Sequence, residues 1–390
     1  HKESVMKKII TFVSICILAG TSVFYYGCSS TGSDTDPGLS SRPETITYTG
    51  PGSYYSVVMN ADGTFEMEVS EAYGENPIIE IDGTYEMLSN GFIRFTVEDS
   101  NNTEDGPDTG EQALGIEVVG YGMFFMPISG SELIPLLEQG TCPDGDFSAN
   151  WITAQARDDK DASSTDDEFF GTFNYDHSEL VGAVGIDANL VDYGPSEEGK
   201  PVSVGECENG FLQLFMDDKV VANMWLTSEG AMVETFDEDE KSESYGERNS
   251  TIFALPADAE AKASDLEGVW RGLVFVDHDE GDSEEISLFV EITLNSTGEG
   301  IGRAFTDLET FKLEDSGVNI NISKNSDIGN GWFTGSLVAV QSGEESEESG
   351  NIACAPSRDV GDIDSDVMLC IAQDPGNNEN HINIILVKSE

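Results

Sequence analysis

The sequence predicts an all-β protein: two antiparallel β-sandwich or small-barrel domains, set behind an export signal and a flexible tether. Three observations carry that expectation. Short stretches that alternate apolar and polar residues recur along the chain, as in TFEMEVS, residues 64–70. Clusters of Asn, Asp, Ser and Gly separate them at hairpin spacing. No long helical periodicity lies between the stretches, and without crossover helices the strands must pair antiparallel.

Residues 1–28 read as the signal segment. Met6-Lys7-Lys8 supplies positive charge, and Ile9 to Gly20 is almost wholly apolar or small. Within VFYYGCSSTGSDTDPG, residues 23–38, the apolar run stops at Gly27-Cys28 and a polar stretch follows. These residues resemble the signal of a bacterial lipoprotein, in which a lipobox ends on Gly or Ala just before the lipid-bearing Cys. Tyr25 and Tyr26 stand where Leu and a small residue are usual. The resemblance implies that Cys28 becomes the first mature residue and carries the lipid. It also implies an outer-membrane address, because Ser29 rather than Asp follows. Multiple acyl chains make a stable anchor where one is marginal. Residues 29–46 are too rich in Ser, Gly, Pro and Asp to build a core and read as the tether.

The first β domain is expected over 47–258. SYYSVVMN and TFEMEVS flank Asn60-Ala61-Asp62-Gly63 as a hairpin. PIIEIDGTYEML and GFIRFTVEDS continue the series. LGIEVVGYGMFFMPI is continuously apolar, as a strand packed on both faces is. SELIPLLEQG, 131–140, reads as a short helix with Ser131 as cap and Gly140 as stop, limited by Pro135. FLQLFMDD, VVANMWLTSEG and AMVETF read as a three-strand meander. A charged, breaker-rich stretch then marks a boundary near 258, and the second β domain runs over 259–390, with HINIILVK built into its sheet. A weak echo of Gly followed by an aromatic strand start links GTFEM, GTYEM, GTFNY and GVWRG. It fits either repeated β units or ordinary turn-to-strand chemistry.

The chain carries 75 Asp and Glu against 18 Lys and Arg, a net charge of −57. Such a surface repels nucleic acid, which is excluded as a partner. The recurring aromatic and β-branched runs exclude general disorder. With Cys16 leaving in the signal and Cys28 lipidated, Cys142, Cys207, Cys354 and Cys370 remain. In an oxidising compartment four cysteines imply two bridges. Pairing nearest in chain, Cys142–Cys207 and Cys354–Cys370, keeps each bridge within one domain, although three connectivities exist. The absence of any CxxC pair argues against a zinc site.

No GxSxG elbow, HExxH, Walker loop or dinucleotide fingerprint is present. His177, His278 and His381 lie far apart in sequence, and no serine is marked as a nucleophile. A carboxylate-dependent glycoside hydrolase stays open, since it needs only two acids and an aromatic cleft. Trp151, Trp225, Trp270 and Trp332 all sit inside strand patterns and read mainly as core. A lipocalin-like carrier of a small apolar ligand is the other alternative, with Met123, Met126, Met216 and Met224 as lining or as adaptable core.

Calcium is the cofactor the composition favours, because it takes several hard oxygen ligands from acidic loops. One candidate loop holds Asp277, Asp279 and Asp282, with Glu284 beyond. A second holds Asp359, Asp362, Asp364 and Asp366, without the Gly and Glu of an EF-hand, and a third, CPDGD, holds Asp144 and Asp146 beside Cys142. A solvated acidic loop is the alternative reading of all three. The function expected is therefore an outer-surface, lipid-anchored binding or structural protein without an evident catalytic motif. Its partners are the membrane, through the anchor, and a glycan or envelope protein.

Overall fold

The computed structural model describes residues 44–50, 55–69, 79–88, 91–101, 107–128, 134–138, 140, 142, 145–156, 170–175, 179–186, 202–216, 219–227, 229–236, 248–277, 286–308, 310–341, 344–360, 365–374 and 377–389. They are all-β apart from one 3-10 turn. The first barrel runs β1 (Ile46–Thr49), β2 (Tyr55–Met59), β3 (Thr64–Val69), β4 (Ile79–Met87), β5 (Phe92–Ser100), β6 (Gln112–Val118), β7 (Gly122–Pro127) and β8 (Ile134–Glu138). Each strand pairs with the next, and β8 returns to β1, where Tyr48 faces Glu138 and Thr49 faces Leu137. In β3, Phe65 and Met67 point inward while Glu66 and Glu68 face water, as the alternation dictates.

The helix expected over 131–140 is corrected: Ile134–Glu138 is the closing strand β8. A ten-residue helix broken by proline is marginal on its own. The same residues as a strand satisfy both β7 and β1. Pro135 faces Phe124 on β7, and β1 reaches β8 only at Leu137 and Glu138. Proline therefore occupies an edge stretch, where a missing amide is tolerated.

The second barrel comprises β9 (Phe147–Ala156), β10 (Phe170–Tyr175), β11 (Glu179–Ile186), β12 (Val202–Val204), β13 (Phe211–Met216), β14 (Lys219–Leu226), β15 (Ala231–Phe236) and β16 (Arg248–Pro256). It closes between β16 and β9. The meander expected from FLQLFMDD to AMVETF is β13–β14–β15. The 47–258 span thus contains two closed barrels.

A 3-10 turn, Ala263–Leu266, leads into the third sheet. Its strands are β17 (Gly268–Asp277), β18 (Ile286–Leu294), β19 (Glu299–Asp307), β20 (Lys312–Leu313), β21 (Gly317–Lys324), β22 (Phe333–Gln341), β23 (Glu344–Val360), β24 (Ser365–Asp374) and β25 (Asn377–Ser389). β17 pairs with both β18 and β25, and β18 pairs in turn with β19. These pairings join eight strands of the nine-stranded sheet into a ring, with β20 attached to β19 outside it.

The sequence echo does not mark this repetition: its copies fall on strands of different rank, β3, β4, β10 and β17. A different repeat is real. Asn60–Gly63 and Asn295–Gly298 both join the second and third ring strands of their barrels. In each turn the glycine amide donates to the asparagine carbonyl, at 3.1 and 3.0 Å, and the glycine sits at φ of +87° or +84°. In each, the glycine carbonyl then accepts from the fourth ring strand, from Tyr85 at 2.8 Å and Ile322 at 3.0 Å.

Each barrel has its own interior cluster, and a further cluster lies between the barrels. On β24, Met368, Cys370 and Ala372 face the third lumen, while Val367, Leu369 and Ile371 face the junction. On β7, Met123 and Phe125 face the first lumen, while Phe124 and Met126 face the junction. Burial on both faces explains why these strands read as unbroken apolar runs. Aromatic pairs bind each barrel to the other two: Phe92–Phe289 at 5.2 Å, Phe124–Phe253 at 5.1 Å and Phe170–Trp332 at 4.5 Å between centroids. Each fully buried Phe contributes roughly 1.5–3 kcal/mol of transfer free energy.

Candidate functional site

Calcium ligation is the expectation for several acidic stretches of the sequence. Asp277 ends β17 and Asp359 lies in β23, but their side chains are outside the described residues. Asp279, Asp282, Asp362 and Asp364 also lie outside the described residues. Asp366 belongs to strand β24 rather than to a loop, and its carboxylate meets Lys388 Nζ at 3.2 Å. Lys388 Nζ also donates to the Asp265 carbonyl at 2.8 Å and lies 5.3 Å from the Trp270 ring centroid. That lysine ties the last strand, the 3-10 turn and the start of β24 together over the buried Trp270. Among the described residues no group of three or more His, Cys, Asp or Glu is placed to hold a metal ion.

The cysteines form the two bridges Cys142–Cys207 and Cys354–Cys370. The first ties the approach to β9 to the segment after β12, beside the shortest strand of the second barrel. The second crosses between directly paired residues of β23 and β24, inside the third lumen. Cys28 lies outside the described residues.

The lumens are lined by buried side chains of the barrels themselves. In the first, Phe95 contacts Phe65, Phe125 and Tyr85 at 5.4, 6.0 and 6.3 Å. In the second, Phe147 meets Tyr175 at 5.0 Å and Phe173 at 6.0 Å. The methionines do not gather in one lining. Met123 is in the first lumen, Met126 in the junction, Met224 in the second lumen, and Met216 packs at its margin. Trp151 and Trp270 are luminal, Trp332 is in the junction, and Trp225 packs against it.

Composition did not single out one polar feature of the first lumen. The Tyr48 hydroxyl donates to the Glu117 carboxylate across a buried aromatic interior. The signal was present, since Glu117 interrupts the apolar run LGIEVVGYG. Polar contacts also cross the junction. Tyr121 Oη donates to the Ala231 carbonyl at 3.0 Å, and burial pushes that phenol far above its ordinary range, so it stays a neutral donor. Asn150 Nδ2 donates to the Asn330 carbonyl at 2.7 Å, and Ser357 Oγ to the Pro256 carbonyl at 3.0 Å.

Acid–base chemistry needs a carboxyl with a raised pKa. Asp62 shows the opposite: the Thr64 hydroxyl and amide hold it below the usual carboxylate range. His177, His278 and the His381 side chain lie outside the described residues.

No protein-family model matches the chain, and no curated protein matches it. Among solved structures, two variants of transferrin binding protein B from Haemophilus parasuis align at 11% and 9% identity, with TM-scores of 0.26 and 0.27. Each alignment covers 86% of this chain, which spans only 65% and 64% of theirs. A protein of unknown function from the DUF3598 family of Nostoc punctiforme aligns at 10% identity and a TM-score of 0.19, over 88% of this chain and 93% of that one. Likenesses at these scores assign no function.

Proposed function

We propose that the protein is an exported, lipid-anchored binding or structural protein of the cell surface. The observation that carries this reading is the packing of three barrels around a shared core, each with buried side chains of its own lining its lumen. Binding then belongs to the outer faces and connecting segments. The lipoprotein-like Gly27-Cys28 end of the apolar segment supports anchoring, and the two disulfides support an oxidising compartment. All four tryptophans are engaged in packing, which favours a protein of the envelope over a glycan as partner. The test is acyl labelling and fractionation of the full chain in a Gram-negative host, beside Cys28→Ser. Label and outer-membrane recovery that vanish in the variant are expected. An unlabelled wild type, or a variant that fractionates identically, would contradict the anchor.

A further inference from the structure

Tracing the outer face of the third barrel across β17, β18 and β19 gives two adjacent rows. Leu273, Phe289 and Phe305 form the first and are buried in the junction. Arg271, Glu291 and Arg303 form the second, in direct cross-strand register. Arg271 holds Glu291 Oε2 through both Nε at 2.9 Å and Nη2 at 2.8 Å, and its Nη1 donates to Ser389 Oγ at 2.9 Å. Glu291 is thereby engaged by Arg271. On the side chain of Arg303 beside it, Nε is buried without an acceptor among the described residues. The residue is only partly exposed. Its stem packs on the β21 backbone, since a Cβ at Gly317 would lie 3.0 Å from Arg303 Cγ.

This arrangement runs against the composition. Carboxylates outnumber cations 75 to 18, yet the Nε of this half-buried guanidinium has no acceptor among the described residues. A guanidinium fork at the rim of an apolar core, partly desolvated and held by packing, is prepared for a planar or tetrahedral oxyanion. A bound anion offsets the desolvation that Arg303 otherwise bears alone. The surrounding charge of −57 disfavours loose anion adsorption, so any saturable binding must come from a local site.

We propose that Arg303, flanked by the Arg271–Glu291 pair, is an oxyanion-binding point on the outer face of the third barrel, taking a carboxylate or phosphate group.

The test is thermal unfolding of the full chain in rising sodium phosphate and, separately, sodium acetate, with sodium chloride holding ionic strength constant. A saturable rise in the midpoint with phosphate alone identifies a phosphoryl site. An equal rise with acetate identifies a carboxylate site. Arg303→Gln is expected to weaken the apparent affinity at least tenfold, while Lys219→Gln, which removes an exposed cation of the second barrel, leaves it unchanged. Thr293→Glu guards against a misfolded Arg303 variant. Thr293 is exposed and lies diagonal to Arg303, so a carboxylate there supplies an internal anion. That variant is expected to lose the anion response while both arginines remain. No saturable response in the wild type, an Arg303→Gln response equal to wild type, or an undiminished response in Thr293→Glu would overturn the proposal.

Discussion

Phe92 of the first barrel and Phe311 of the third stack face to face, 5.6 Å between centroids and 7° from parallel. Phe311 reaches this position from the β19–β20 connection with φ at +50°, a left-handed conformation rare for a bulky residue. Phe289 and Phe305 meet the same Phe92 ring edge-on at 5.2 and 5.8 Å. A strained connection outside the ring of the third barrel thus helps hold the N-terminal barrel.

That geometry separates two effects of substitution at Phe311. Alanine removes the ring and keeps the backbone strain, whereas glycine removes both. Urea unfolding should therefore find Phe311→Gly at least as stable as Phe311→Ala, by up to about 1 kcal/mol, although glycine is ordinarily the worse replacement. Phe92→Ala, which empties a fully buried site, should cost more than either, about 3–5 kcal/mol. A glycine variant clearly weaker than the alanine variant would show that no strain is released there.

Lys388 joins the Ser365 end of β24 to the 3-10 turn through Asp366 and the Asp265 carbonyl, and its stem covers Trp270 and Gly268. Lys388→Ala should cost about 2–3 kcal/mol, the range for a charged hydrogen bond lost with its packing. Lys388→Met keeps the stem over Trp270 and should recover part of that loss. Denaturant midpoints for the two variants test this directly: equal losses would assign the whole effect to charge.

The two disulfides should differ in weight, because they close loops of different length. Their sequence separations are 65 for Cys142–Cys207 and 16 for Cys354–Cys370. Chain entropy gives the longer loop about 4 kcal/mol and the shorter about 3 kcal/mol. Paired Cys→Ser substitution should therefore lower stability more at 142 and 207 than at 354 and 370, read by denaturant unfolding of each double variant. The reverse order would mean that packing inside the third lumen outweighs loop closure.

Much of this fold is legible in the sequence where one face is wet. The alternation in TFEMEVS is β3, and NADG is its turn. Legibility fails where both faces are dry. Val367, Leu369 and Ile371 look no different from Met368, Cys370 and Ala372 in a run of residues, yet one set faces the junction and the other the lumen. The passage from β8 to β9 carries no long linker or shift of composition, so two barrels read as a single domain. SELIPLLEQG resembles a capped helix because its role as a closing strand depends on β1, at the opposite end of the first barrel's sequence. At the candidate sites, Asp366 reads as part of an alternating acidic loop, while its engagement by Lys388 depends on a strand pairing that spacing alone does not reveal.

Three barrels that share one core should behave as one body. Differential scanning calorimetry of the full chain with its disulfides intact tests this most directly. A single transition is expected, with calorimetric and van't Hoff enthalpies in agreement. Two or three resolved transitions, each with the enthalpy of a single barrel, would show that the barrels unfold independently and would contradict the shared core.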